Sequence, residues 1–467
     1  MKPIKIALLS YLVLFFSCQQ KTTKPNFIIF LVDDLGWMDV GYMGSKYYET
    51  PNIDQMAKEG MVFTNAYANS PNCAPTRASL MSGMYAPRHG VYTVGNPARG
   101  KSENRILIPF PNKTELAGSF VTLAEALKEN GYTNAHVGKW HLGEDEETSP
   151  KAQGFDVNIG GNHSGHPKTY FSPYKNPDLT DGMDGEYLTD RLTDEALRFV
   201  EQNKDNPFFL YFAHYAVHTP IQAKEEITAR YANKEGSNGQ DNPKYAAMVE
   251  STDQSLGRVL EKLRELDLDE NTMVLFFSDN GGHGVVTSQY PLKGSKGMLY
   301  EGGFREPMIA WWPGKIKAGA TNDEVVMGFD FYPTLVELAG GTSEKYNTDG
   351  QSIVPLILNQ GSWNRETVFW HFPAYLEGNK GIKNPEDLVR GWRAVPSGAI
   401  RKGDWKLIED FEDGSLKLFN LAEDISEKNN LVETNPEKTE ELLRDMRQWR
   451  KEVNAPVPSE RNPSYLN

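Results

Sequence analysis

Two runs of apolar residues, 27–32 and 273–277, carry no polar interruption, and each stops on oxygen-bearing side chains. The first ends at Asp33-Asp34 and the second at Ser278-Asp279-Asn280. An apolar run without alternation suits a strand buried on both faces, as in a parallel sheet covered by helices. In such sheets ligands bind beyond the carboxyl ends of the strands, so the two polar pairs can meet at one rim despite their separation in sequence. Their hard oxygen donors suit Ca²⁺ or Mg²⁺. Acidic residues after strands also serve as loop formers and caps.

The text between these runs alternates in the same manner. Residues 51–59 read as a helix with Thr50 as N-cap, Pro51 at its first position and Gly60 as terminator. Thr122-Leu-Ala-Glu125 is a capping box opening a helix that ends near Gly131. Residues 208–212 form another buried strand, followed by His214 and His218; a long amphipathic stretch covers 245–266; 307–312 and a helix at 330–339 follow. The pattern predicts a mainly parallel α/β sheet with helices on both faces. After about Gly361 short strands appear at 367–372, 397–401, 405–409 and 416–420, then a charged helix over 436–451 with Asn435 as N-cap. The expected organisation is a catalytic domain over 26–360 and a C-terminal α+β subdomain over 361–467, an antiparallel sheet plus helix.

The N-terminus reads as an address. Lys2 and Lys5 precede an apolar stretch over 6–16, too short to span a bilayer but suited to an export signal. It ends Phe16-Ser17-Cys18, which resembles a lipobox, although Phe15 stands where the commonest pattern has Leu. Residues 1–17 are then a signal peptide, Cys18 the lipidated first residue, and 18–25 a lipid-anchored linker to the bacterial outer membrane, on either face. Ordinary cleavage beside an incidental cysteine is the alternative. With 49 Lys and Arg against 63 Asp and Glu, the formal net charge is -14, the wrong sign for a general nucleic-acid binder. An anionic ligand must therefore be held by a local cationic pocket. Two cysteines, Cys18 and Cys73, exclude a disulfide framework.

Cys73-Ala74-Pro75-Thr76-Arg77 places the second cysteine just ahead of an expected helix, where free backbone donors and the dipole favour an anion. A buried structural thiol is the alternative. Around it stand Lys24-Pro-Asn-Phe-Ile-Ile-Phe-Leu-Val-Asp-Asp-Leu-Gly36, Thr50-Pro-Asn-Ile-Asp54 and Cys73-Ala-Pro-Thr-Arg-Ala-Ser-Leu-Met-Ser-Gly83. Further on come Gly138-Lys-Trp-His-Leu-Gly143, Phe277-Ser-Asp-Asn-Gly281, Leu292-Lys-Gly-Ser-Lys-Gly297 and Glu301-Gly-Gly-Phe-Arg305. In this order they resemble the formylglycine-dependent (type I) sulfatase family over nearly all of the mature chain.

That resemblance implies an alkaline-phosphatase-like fold, a large mixed sheet sandwiched by helices. It also implies that a formylglycine-generating enzyme oxidises Cys73 to formylglycine. Asp33, Asp34, Asp279 and Asn280, completed by residue 73, match the ligands of one divalent cation, usually Ca²⁺. Arg77, Lys139, His141, His218 and Lys296 match the residues that hold the formylglycine and the sulfate, with His214 as competitor to His218. A plain nucleophile would end as a stable sulfate ester, whereas a hydrated aldehyde carries a second hydroxyl whose deprotonation expels sulfate. His141 is then the expected base, and His218, aided by Lys296, the acid for the leaving oxygen. Lys139 and His141, two apart in extended backbone, would share a face with Trp140 turned away.

Specificity is less legible. Gly160-Gly-Asn-His-Ser-Gly-His166 offers His163 and His166 at a mouth, or a turn with incidental histidines. Trp370-His371-Phe372-Pro373 and the cluster 390–393 offer His371 and arginines from the smaller domain, or a domain interface. The expected substrate is a sulfated oligo- or polysaccharide, such as ulvan, carrageenan, fucoidan or a glycosaminoglycan, attacked at a terminal sugar. Two rivals remain: a phosphonate monoester or phosphodiester hydrolase of the same superfamily, and a non-catalytic glycan-binding lipoprotein.

Overall fold

Alternate residues of the first strand face opposite cores, and this divides the molecule into layers. The computed structural model describes residues 24–466; the signal peptide and Cys18 lie outside them. Strand β1 (Asn26–Val32) is buried at every position. Ile28, Phe30 and Val32 pack with helices α1 (Pro51–Glu59), α4 (Leu188–Gln202) and α5 (Pro243–Glu265) on one side. Phe27, Ile29 and Leu31 pack with α2 (Cys73–Ser82), α3 (Leu123–Glu129) and α6 (Phe331–Leu338) on the other.

The other strands of this sheet are β2 (Met61–Phe63), β3 (Thr133–Gly138), β4 (Val157–Ile159), β5 (Phe208–Ala213), β6 (Thr272–Ser278), β7 (Met308–Trp311) and β8 (Ala320–Asn322). Their order is β4-β3-β5-β1-β6-β7-β2-β8. The run from β4 to β6 is parallel, and β7 is antiparallel to both neighbours, so the sheet is mixed. Register sets the rim: Val32 pairs with Ser278, Leu31 with Ala213, and Gly138 with Ala213. The residues that follow β1, β3, β5 and β6 therefore emerge side by side.

Strands β9 (Thr367–Phe372), β10 (Ser397–Lys402), β11 (Trp405–Asp410) and β12 (Leu416–Asn420) form an antiparallel sheet. Helix α7 (Pro436–Glu452) covers it, with Leu442 and Met446 on Ile400, Leu407 and Leu418. The two sheets meet through Phe304 stacked on Trp370 and through a buried ion cluster. Lys406 of β11 lies 3.0 Å from Glu301 and 2.8 Å from Glu427, all without exposure, and Tyr67 donates to Glu301 at 2.6 Å. The Glu301-Gly-Gly-Phe-Arg305 motif thus belongs to this junction. Buried charges are retained only when paired, so the cluster fixes how the sheets sit.

Local signals hold in part. Thr122 and Glu125 form the full capping box. Thr50 does not cap α1; its hydroxyl accepts from Gly41 N and donates to Asp54. Asn435 makes no side-chain cap either. Asn242 caps α5, accepting from Lys244 and Tyr245, and Pro243 starts that helix ahead of the expected residue 245. Among the described residues no helix is long and apolar enough to cross a membrane.

Candidate active site

Asp33, Asp34, Asp279 and Asn280 meet where β1 and β6 end, with no exposure. Asp34 N donates to Asp279 Oδ1 at 3.3 Å, and Asn280 Nδ2 donates to Asp34 Oδ1 at 2.8 Å. Asp34 adopts φ 63, turning the chain so that consecutive carboxylates reach one centre. Three buried oxygens there, Asp33 Oδ1, Asp34 Oδ2 and Asn280 Oδ1, accept no hydrogen bond. Ligand atoms of Asp33, Cys73 and Asp279 lie within 4.8 Å of one another. A divalent cation fits this set: the donors are hard oxygens, and buried acceptors left unpaired are costly.

Cys73 opens α2, with Asn72 at the N-cap; it is the first helical residue rather than one ahead of the helix. Arg77, one turn on, shares its face. The Arg77 guanidinium donates to Asp279 Oδ2 at 2.8 Å and to Lys139 O at 2.7 Å, and Lys139 Nζ donates to Asp33 Oδ2 at 2.7 Å. Lys296 donates to Asp34 Oδ1, its loop held by Gly297 N on Pro71 O at 2.8 Å. Burial pushes Asp33 up, Lys139 and Arg77 offsetting part of this while Asp279 and Asp34 add to it. Asp34 is buried too, but Lys296 and His218 hold it well below the usual carboxylate range.

His141 Nδ1 lies 3.5 Å from Cys73 Sγ. Burial, with Lys139 and Arg77 nearby, keeps the imidazole well below its usual pKa, so it is neutral and able to accept a proton. Lys139 and His141 face the rim while Trp140 sits in the core, its indole donating to Thr148 O at 2.9 Å. The expected extended backbone is not the reason. Gly138 (φ 105) and His141 (φ 65) are both left-handed, and a Cβ on Gly138 would stand 1.9 Å from Ala213 O. Only glycine allows that approach.

His218 Nε2 lies 3.6 Å from Asp34 Oδ2, and Nδ1 hydrogen-bonds Thr219 O at 2.8 Å. Backbone bonds from Asp33 N to Ala216 O and from Val217 N to Asp33 O tie this segment to the rim. His214 is not the residue at the rim: it is fully buried, bonded to Ser255 at 3.0 Å and packed against Phe30 and Phe212. Above Cys73 opens a cavity of about 320 Å³, lined by Cys73, His141, His166, His218 and Lys296, and by Arg99, His283, Asn379 and Arg393.

The sulfatase family model matches residues 25–341. The chain belongs to the sulfatase family. A second model, the C-terminal part of N-sulphoglucosamine sulphohydrolase, matches 294–455. A sulfatase of Formosa agariphila is 34% identical over 93% of this chain and 90% of its own length. Human N-acetylgalactosamine-6-sulfatase is 35% identical over 74% of this chain and 68% of its own. The crystal structure of Ps i-CgsB in complex with k-i-k-neocarrahexaose has a TM-score of 0.75 at 33% identity, covering 94% of this chain and 95% of that one. This sulfatase is therefore a sulfuric ester hydrolase of alkaline-phosphatase-like fold.

The candidate residues of the sulfatase lie at different depths around this cavity. Arg77 and Lys139 do not line the cavity; both are fully buried beneath it, held by Asp279 and Asp33. His166 lines the cavity, its ring stacked 6.2 Å from His218; His163 lines an adjoining cavity of about 310 Å³ that His166 also borders, its ring edge-on to His141 at 6.4 Å. His371 does not reach substrate: it is buried among Tyr92, Phe411 and Trp449 with Nε2 on Pro456 O at 2.8 Å. Trp370 is core, donating to Ala68 O. Arg390 pairs with Asp410, Glu412 and Asp413, so of the 390–393 cluster Arg393 supplies the cavity's cation. His283, Arg99 and Asn379 were not anticipated. The Gly-Gly-His that follows Asn280 was a usable signal for His283; nothing distinguished Arg99.

Proposed function

We propose that this sulfatase removes sulfate from a sulfated polysaccharide, using Cys73 as formylglycine and one divalent cation, Ca²⁺ by preference, on Asp33, Asp34, Asp279 and Asn280. The observation that carries this reading is the convergence of Cys73 Sγ, Asp33 and Asp279 within 4.8 Å beneath a cationic cavity. When bound, the cation would polarise an oxygen on residue 73 and offset the charge of the ester. The hydrated aldehyde would supply two hydroxyls on one carbon, avoiding a stable ester at the end of turnover. Net reaction: ester and water give alcohol and hydrogen sulfate.

His141 Nδ1, beside residue 73 and kept neutral by burial, accepts the proton that releases sulfate. His218 Nε2 delivers a proton to the leaving oxygen, and the arriving sulfate charge favours the protonated ring. Lys296, at the cavity wall, balances sulfate charge. Arg77 and Lys139 position Asp279 and Asp33 beneath residue 73. The carrageenan-type oligosaccharide named in the Ps i-CgsB complex supports an algal galactan among the substrates considered. Export, lipidation at Cys18 and attachment to the outer membrane complete the proposal, as does maturation by a formylglycine-generating enzyme.

The test is free sulfate released from defined sulfated oligosaccharides, with protein co-expressed with that maturation enzyme, conversion checked by mass spectrometry, and Cys73→Ala as control. Sulfate release that the substitution abolishes is expected. Turnover of phosphonate or phosphodiester substrates alone would overturn the reading.

A further inference from the structure

The cavity wall carries two arginines, Arg99 and Arg393, that make no ion pair among the described residues. Arg99 donates to Val94 O at 2.7 Å, and Arg393 Nε donates to Glu377 O at 2.9 Å. Among the described residues neither lies within ion-pair distance of an acid, although the chain has ample acidic residues to pair them. Each guanidinium is tethered to a backbone carbonyl, which orients it while leaving other N–H donors unspent. Burial, and then the neighbouring Arg99, push Arg393 down to about 10, with Glu377 and Asp34 offsetting part of this. The scissile sulfate already has Lys296, His141 and His218. Arg393 stands beside the residue that follows Lys296: a Cβ on Gly297 would be 3.6 Å from Arg393 Nη1. The chain neighbours of the pair, Gly100 and Trp392, line a second cavity of about 590 Å³.

Resting on the sulfatase reading of this site, we propose that Arg99 and Arg393 bind a second anionic group of the substrate, a sulfate ester or a uronate carboxylate next to the ester that is cleaved. The guanidinium fork matches both oxyanions, and an anion between two arginines relieves their repulsion. The preferred substrate is thus an oligosaccharide carrying two neighbouring negative charges.

The test uses the matured full chain and three matched disaccharides: one sulfate only, the same plus a second sulfate, and the same plus a uronate carboxylate. The wild type should favour at least one doubly charged substrate in kcat/KM, and whichever arm wins identifies the second anion. Arg393→Gln should lower the ratio of doubly to singly charged kcat/KM by about 10- to 100-fold, and Arg393→Lys should restore only part of it. Arg99→Gln carries the test should Arg393→Gln fail to fold. Calorimetry of the same sugars on Cys73→Ala, alone and combined with Arg393→Gln, reads binding without turnover. If no sulfate is released but doubly charged sugars bind more weakly to the combined variant, the reaction assignment fails and the arginine site stands. Equal ratios in wild type and variants, or a wild type indifferent to the second charge, would overturn the arginine site.

Discussion

His371 is built into the fold as a neutral imidazole, and this makes a sharp stability experiment. Its side chain is about one-twentieth exposed (5%), Nε2 bonds to Pro456 O, and Nδ1 is buried without a partner. A second proton has no acceptor to meet, and burial lowers the pKa from 6.5 to about 3. The folded value lies below the unfolded one, so stability is fully present above pH 6.5 and drains as the pH falls toward 3, while the unfolded chain takes up a proton that the folded chain refuses. Between about pH 7.5 and about pH 5 this single group withdraws about 2 kcal/mol. His371→Gln retains a donor for Pro456 O and removes the titration. Urea unfolding of both proteins at the two pH values is the assay, and the wild type should lose about 2 kcal/mol more than the variant on acidification. At the higher pH the two should cleave any sulfate ester within about twofold of each other, since His371 lies outside the cavity. Identical acid sensitivity, or a selective loss of activity in the variant, would refute the assignment of His371 to the core.

Other perturbations probe the site and its support. Gly165→Ala puts a Cβ 2.6 Å from the His141 ring; displacement of the ring should lower kcat by about tenfold or more with little change in melting temperature. His218→Ala should slow esters with poor leaving groups more than nitrophenyl sulfate, and equal losses on both would remove it as the acid. Lys406→Met strands Glu427 without its cation and leaves Glu301 to Arg305, and should destabilise the protein by about 3–5 kcal/mol, read from unfolding midpoints. Adding Ca²⁺ after chelation should raise the melting temperature of the wild type and not of Asp279→Asn; an equal rise in both would place the cation elsewhere.

The large sheet was legible because its central strands are short, wholly apolar and punctuated by aspartates. Periodicity and punctuation are local properties that survive without knowledge of partners. Thr122 with Glu125 was legible for the same reason. Facing is not local. Trp370 and His371 are neighbours on β9, and both are buried because Phe304 covers one face while Tyr92, Phe411 and Trp449 close over the other. Likewise the depth of Lys139 and Arg77, paired with Asp33 and Asp279 below the cavity, depends on how α2 and the strand ends meet. Arg99 stands in an irregular segment whose position depends on Asn112 holding Tyr92 and Thr93, a contact that no spacing rule supplies.

The charged junction centred on Lys406 also bears on how a long polymer would approach. Arg393 and Asn379 come from the portion of the chain that the junction fastens to the rim bearing Cys73. Prising those parts apart to admit a strand lengthwise would break the buried pair of Lys406 with Glu301 and unstack Phe304 from Trp370. We propose that a mouth braced in this way admits the tip of a glycan more readily than a strand laid across it. Trimming from the ends inward would then follow from the bracing rather than from any contact with a sugar.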